Sequence, residues 1–261
     1  MSGLVGDGAS ARDCELEVGP PPLSLPLLAG VRDGYERWAP TYDEFPNPLL
    51  AREERHVLPL LPVLRNRSVL DVACGTGRWL ACLMAGDARL AVGVDLSSAM
   101  LRVAGEKKDL FGKMVQGDCL RLPFRTSTFD FLICSFALGH MQDLRSVAKE
   151  CSRVMKPGAD MFVTDLHPEA YAKGWRTGFR DQRSAVHVQT VPHSAEDILR
   201  AFHAASCACV THVGLCLGEA EQSIFAKAGR QQLFQTACRV PAILFCHLKQ
   251  VSKAKAYRRV L

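Results

Sequence analysis

The segment that most limits what this chain can fold into is Val69-Leu70-Asp71-Val72-Ala73-Cys74-Gly75-Thr76-Gly77-Arg78-Trp79-Leu80. A short apolar run ends in glycines and passes at once into residues of helical spacing, so a strand feeds a helix through a glycine loop. Gly75 and Gly77 permit a tight turn with positive backbone angles and leave no side chain where a ligand would lie against the backbone. The helix that follows aims its free N–H groups and positive dipole end at that space, which suits a carboxylate or a phosphate. Ordinary strand-to-helix turns also use glycine, so the loop takes its meaning from its neighbours.

Those neighbours repeat the same rhythm. Apolar runs at 68–72, 90–94, 113–116, 129–135 and 160–164 read as strands, and helical spacing appears at 78–85, 97–104 and 143–155, the last stopped by Lys156-Pro157-Gly158. Strands separated by helices imply a parallel sheet covered on both faces, and the low charge of these runs agrees. With 48% hydrophobic and 23% charged residues in 261, the chain can bury a full core and is neither disordered nor fibrous.

Two further strand ends carry acids. Asp95 closes Val92-Gly93-Val94-Asp95, 18 residues after Gly77, where a carboxylate can bond ribose hydroxyls. Asp118 follows the next strand, 23 residues later. In a parallel sheet both lie at the edge where ligands bind. A dinucleotide fingerprint wants glycine or alanine three residues after Gly77, and this chain has Leu80; Asp71, ahead of the glycines, would oppose a pyrophosphate but attract a cationic amine. No tyrosine is followed four residues on by lysine, as a short-chain dehydrogenase needs. These features favour a sulfonium nucleoside.

On these residues the chain resembles class I S-adenosylmethionine-dependent methyltransferases, in particular the branch similar to the ubiquinone and menaquinone biosynthesis C-methyltransferases. Leu70 to Gly77 looks like the first motif, Val94-Asp95-Leu96-Ser97-Ser98-Ala99-Met100-Leu101 the second, and Gly117-Asp118-Cys119-Leu120-Arg121-Leu122-Pro123-Phe124 the third. Phe129-Asp130 with Ser135 through His140 resembles the fourth, and Arg153 to Gly158 the turn before the fifth strand. The similarity covers residues 35–165 and departs at Ala73, where most members carry glycine. It implies an α/β, Rossmann-like doubly wound fold: a mostly parallel seven-stranded sheet with helices on both faces and an N-terminal helical cap.

The resemblance also implies roles. Asp71 and the backbone of Ala73, Cys74, Gly75 and Gly77 would hold the methionine moiety of S-adenosylmethionine, and Asp95 the ribose hydroxyls. Asp118 and Cys119 would meet the adenine edge, Leu96 and Met100 its faces, and Ser135 belongs to the same cofactor set; Tyr42, in the cap segment Tyr35 to Asp43, would approach the methionine end. If the acceptor must lose a proton, His140, His167 and Tyr42 are the candidate bases. Trp175, Arg176 and Arg180 fall where the family places substrate contacts, and arginines among aromatics suit an anionic or flat acceptor.

A flexible leader is expected at 1–30 and a single domain at 31–261, divided into a cap (31–66), a cofactor-binding core (67–166), a loop-rich substrate-side insertion (167–200) and C-terminal strands and helix (201–261), with Ser194 and Asp197 forming a helix cap at 194 and one helix at 222–237. No run approaches 18 apolar residues, so no membrane span is expected. The net charge of +5 gathers in Lys249, Lys253, Lys255, Arg258 and Arg259, a solvated end rather than a nucleic-acid surface. Eleven scattered cysteines read as thiols of a reducing compartment, the cytoplasm. On a strand Cys207 and Cys209 would share a face with His212 on the other, so core packing is expected there and no metal. The expected reaction is methyl transfer to a small molecule; the alternative is a catalytically silent S-adenosylmethionine-binding regulatory partner.

Overall fold

The computed structural model describes residues 26–181 and 184–251. Most of the expected leader and the basic residues from Lys253 onward lie outside the described residues. The elements run β1 (Leu27–Ala29), α1 (Val31–Trp38), α2 (Pro48–Val57), β2 (Ser68–Val72), α3 (Arg78–Ala85), β3 (Leu90–Asp95), α4 (Ser98–Glu106), β4 (Met114–Gln116) and β5 (Phe129–Ser135). Then follow α5 (Leu144–Val154), β6 (Met155–Leu166), α6 (Pro168–Ala172), β7 (Gly178–Arg180), β8 (Ala185–Val188), α7 (Ala195–Ala204), β9 (Cys207–Cys216), α8 (Gln222–Lys227), α9 (Gln231–Ala237) and β10 (Pro241–Gln250).

Seven strands form one sheet in the order β4-β3-β2-β5-β6-β10-β9, parallel from β4 to β6, with β10 antiparallel to both its neighbours. The expected Rossmann-like architecture is therefore present. Strand order reverses between β2 and β5, and the crevice beyond their carboxyl ends is where such a sheet binds ligands. One apolar layer joins Leu70, Leu132 and Val163 with α5 and α7; the other joins Val69, Phe131 and Phe245 with α3 and the C-terminal helices. The helix starts follow the sequence signals: Asp143 caps α5, Ser97 caps α4, and Ser194 with Asp197 makes a reciprocal capping box on α7.

The structure departs from the sequence reading in several places. Leu27–Ala29, within the stretch expected to lack regular structure, pairs with β8, and β7 completes a second, three-stranded sheet from residues expected to be loops. The expected helix at 222–237 is two, broken at Gly229 with φ of 68°. Lys156-Pro157-Gly158 follows the end of α5 at Val154 as expected, but it lies inside β6 rather than before it, at a register shift with Phe129 facing Met155 and Phe131 facing Asp160. A second shift in β9 leaves Val210 without a partner on β10. It brings His212 to the face of Cys207 and Cys209 rather than the expected opposite one, with Cys209 Sγ 3.9 Å from His212 Nδ1; of the two cysteines Cys207 is buried and Cys209 exposed. Among the described residues no group of three or more metal-ligating side chains forms, and no helix is long and apolar enough to cross a membrane.

Candidate functional site

The loop from Ala73 to Gly77 turns through three left-handed residues, Ala73 (φ 56°), Gly75 (φ 53°) and Gly77 (φ 82°). Gly77 is required: a Cβ there would also collide with Leu110. The Cys74 amide donates to the Val94 carbonyl at 3.0 Å, binding the loop to β3. Asp95, at the tip of β3, completes the clamp. Its Oδ2 accepts the Gly75 N–H and its Oδ1 the Ser97 N–H, each at 2.8 Å. Burial raises its pKa.

This clamp forms one wall of a cavity of about 450 Å³. Of the sequence-predicted residues, the structure brings Tyr42, Ala73, Gly75, Asp95, Leu96, Met100, Asp118, Cys119, Ser135 and His140 to that cavity. Asp118 accepts the Leu120 N–H at 2.9 Å, while burial pushes the Cys119 thiol up to about 12. The cap lines the cavity through Val31, Arg32, Tyr35 and Tyr42. Glu36 of α1 accepts from Ser97 Oγ and Ser98 N at the start of α4, and Asp43 accepts from Thr76 Oγ1 and Lys107 Nζ.

Other residues singled out in the sequence lie elsewhere. Asp71 sits behind the loop, fully buried, with one carboxyl oxygen unpartnered; burial raises its pKa to about 8, so at neutral pH it is mainly protonated and lacks the charge expected to attract an amine. The Cys74 side chain packs against Gly93 rather than the cavity, and Gly77 opens α3 behind it. His167 caps α6 through Nδ1, 3.2 Å from Glu169 N, with its Nε2 turned toward Gly214. It lines no described cavity, because β6 runs to Leu166 and delivers it to the β9 side of the sheet. Trp175 is core, packed with residues such as Leu166, Ala170 and Leu215. Arg180 is exposed on β7 and lines neither cavity.

Arg176 borders a second, smaller cavity of about 50 Å³. Its Nη1 donates to the carbonyls of Tyr171 and Trp175 at 2.6 and 2.7 Å, and its guanidinium lies 3.9 Å above the Tyr171 ring. Tyr35, Tyr42 and Phe136 line both cavities. Phe136 holds a left-handed φ of 49°, unusual for a bulky residue, with its amide on the Thr164 carbonyl at 2.8 Å.

Sequence reasoning missed three elements of the site: Phe136, the Tyr35 hydroxyl on His140, and a buried polar network around Glu53. Glu53 is fully enclosed; it accepts from Arg78, Thr164, Trp79 Nε1 at 3.3 Å and Ser135 Oγ at 2.7 Å. One signal pointed to it, since Glu53 lies between Leu49 and Val57 on the buried face of α2.

Comparison with known proteins agrees with this geometry. Residues 70–163 match the methyltransferase domain family. A demethylmenaquinone methyltransferase of Bacillus licheniformis is 30% identical over 146 residues, which cover 52% of this chain and 63% of the relative. The chain thus spans just under two thirds of that relative's length. Among solved structures, an S-adenosylmethionine-dependent methyltransferase from Mesorhizobium loti superposes with a TM-score of 0.62 at 18% identity, over 78% of this chain and all of that one. The [4+2]-cyclase SpnF has the same fold, with a TM-score of 0.61 at 16% identity over 87% and 99% of the two chains. The chain has the fold of the class I S-adenosylmethionine-dependent methyltransferases, built around a segment, residues 70–163, that matches the methyltransferase domain family.

Proposed function

We propose that this protein transfers the methyl group of S-adenosylmethionine to a small-molecule acceptor. The observation that carries the reading is the Asp95 clamp. Backbone N–H groups of Gly75 and Ser97 fix the two carboxylate oxygens at the cavity wall, an acceptor pair that suits ribose hydroxyls. The donor set agrees: among the described lining residues Arg32 is the only lysine or arginine, a poor match for a pyrophosphate. Bound there, S-adenosylmethionine supplies an electrophilic methyl carried on a sulfonium.

The chain's own residues would bind, orient and exclude water. Gly75 gives a bare backbone, since a Cβ there meets nothing within 4 Å. Leu96 and Met100 offer apolar faces, and Asp118 and Cys119 polar atoms at the far end. Tyr42 and Phe136, shared by both cavities, mark where acceptor and methyl donor meet, with Arg176 beside the acceptor side. An acceptor held in line at roughly 3–3.5 Å needs little more for rate. A flat or anionic acceptor suits the aromatic wall and Arg176. The described cysteines are all free, which supports a reducing compartment such as the cytoplasm.

The test is transfer of labelled methyl from S-adenosylmethionine to a panel of hydroquinones, phenols and aromatic acids, 1,4-naphthalenediol included. Transfer to a panel member supports the reading. Saturable cofactor binding with no transfer to any of them supports the silent regulatory partner instead.

A further inference from the structure

We propose that Tyr35 and His140 form a proton relay that deprotonates the acceptor, Tyr35 taking the acceptor's proton while its own passes to His140; this rests on the methyl-transfer reading above. The two residues are 105 positions apart and meet at the cavity wall, the Tyr35 hydroxyl 2.8 Å from His140 Nε2. The direction of that bond is set on the other side of the ring. His140 Nδ1 lies 2.8 Å from the Gln189 carbonyl, an atom that can only accept, so Nδ1 carries the hydrogen. In the neutral ring Nε2 is then the lone-pair nitrogen, and the tyrosine hydroxyl donates to it. His140 cannot act directly as the base while this bond stands. The tyrosine oxygen, its proton already committed, is the group with free lone pairs.

The pair is held in place. The Tyr35 ring stacks on Trp38 at 5.8 Å and meets the His140 ring edge-on at 5.2 Å, fixing the phenol on the wall shared by both cavities. Asp165 stands behind His140, its carboxylate accepting the Gly139 N–H at 2.6 Å and the Leu166 N–H at 2.7 Å, where it favours a positive ring. Burial lowers the His140 pKa and raises that of Tyr35, so the resting pair is neutral at physiological pH.

The step balances. The acceptor's bond to hydrogen breaks and that proton joins Tyr35 Oη; the original Tyr35 proton joins His140 Nε2. The acceptor atom keeps the electron pair and bonds the methyl carbon, and the carbon–sulfur pair returns to sulfur. One positive charge leaves the sulfonium as one appears on the imidazolium, so the cavity gains no net charge, which matters where the dielectric is low. The imidazolium returns its proton to water when product leaves.

Two readouts on the full-length chain test the relay. Nitrogen-15 NMR of the His140 ring needs no acceptor: the relay requires a neutral ring protonated at Nδ1, with an Nε2 signal that shifts in Tyr35→Phe. The second is the pH profile of labelled-methyl transfer to 1,4-naphthalenediol, with Tyr42, Asp95 and Asp165 facing Tyr35, and His193 facing Asp165, as the other titratable groups present. Tyr35→Phe is expected to lower kcat by about 10²–10⁴-fold, the usual span for a lost acid–base group, to flatten the acid limb of the profile, and to leave S-adenosylmethionine affinity near that of the wild type. A ring protonated at Nε2, or Tyr35→Phe with wild-type kcat, overturns the relay while leaving methyl transfer standing. A wild-type protein that methylates no member of the acceptor panel instead counts against methyl transfer itself, and the relay falls with it.

Discussion

The Asp95 carboxylate accepts the amide hydrogen of Gly75 at 2.8 Å, which ties the tip of β3 to the glycine loop leaving β2. One side chain therefore shapes the loop and presents its carboxylate oxygens at the cavity wall. Asp95→Ala is expected to remove both, weakening S-adenosylmethionine by about 10–100-fold, as for hydrogen bonds to a charged group. Thermal melting with and without the cofactor reads this directly. The wild type should gain stability on addition, and the variant should gain little at the same concentration.

Ala73 carries a methyl group through a left-handed turn at φ 56°. That conformation costs a non-glycine residue about 1–2 kcal/mol, while glycine makes the unfolded chain freer by about 0.4–1 kcal/mol. Ala73→Gly should therefore stabilise the protein modestly, by about 0.5–1 kcal/mol, the difference between these two effects. Urea denaturation measures it. A loss of stability would mean that the loop does not hold this turn in solution.

Asp71 offers a pH test. Its pKa in the fold is raised to about 8 by burial, above its unfolded value, so between about pH 4 and 8 the folded state binds a proton that the unfolded state does not. The contribution of this group to stability is thus largest in acid and falls as pH rises, at up to about 1.4 kcal/mol per unit. Asp71→Asn should remove that slope, making stability less dependent on pH over this window. Parallel slopes for wild type and variant would place Asp71 in contact with water.

Glu53 joins α2 to Arg78 and Trp79 of α3, Ser135 of β5 and Thr164 of β6. Glu53→Ala removes the shared acceptor of the Ser135 and Thr164 hydroxyls and of Arg78, which keeps Ser135 Oγ at 3.1 Å and Glu54 at 3.8 Å, and a loss of about 1–3 kcal/mol is expected, as for buried groups left unpaired. Glu53→Gln keeps an oxygen acceptor and should cost less. Chemical denaturation of the two variants gives the comparison, and near-equal, small losses in both would contradict it.

How much of this was legible in the sequence depends on how local each feature is. Gly77, Ser97 and Asp143 act within three residues, and the elements they start, α3, α4 and α5, lie where spacing and caps put them. Asp95 and Asp118 reach the cavity because parallel strands end at one edge, a rule of topology and not of distance. What escaped depends on contacts between remote residues. Tyr35 finds His140 across 105 positions and Glu53 finds Thr164 across 111, and no periodicity records such pairs. His167 and Trp175 were misplaced for a related reason: the chain beyond β6 turns toward β9 and β10, a direction set by tertiary packing. The strands β7 and β8 are too short, at three and four residues, for alternation to show.

The central claim is that the cavity at the strand ends holds an adenosyl sulfonium. Isothermal titration of the protein with S-adenosylmethionine, and separately with NADH, tests it most directly. The account predicts saturable one-to-one binding of S-adenosylmethionine and no heat with NADH. Tight NADH binding, or no binding of S-adenosylmethionine by the folded protein, would contradict it.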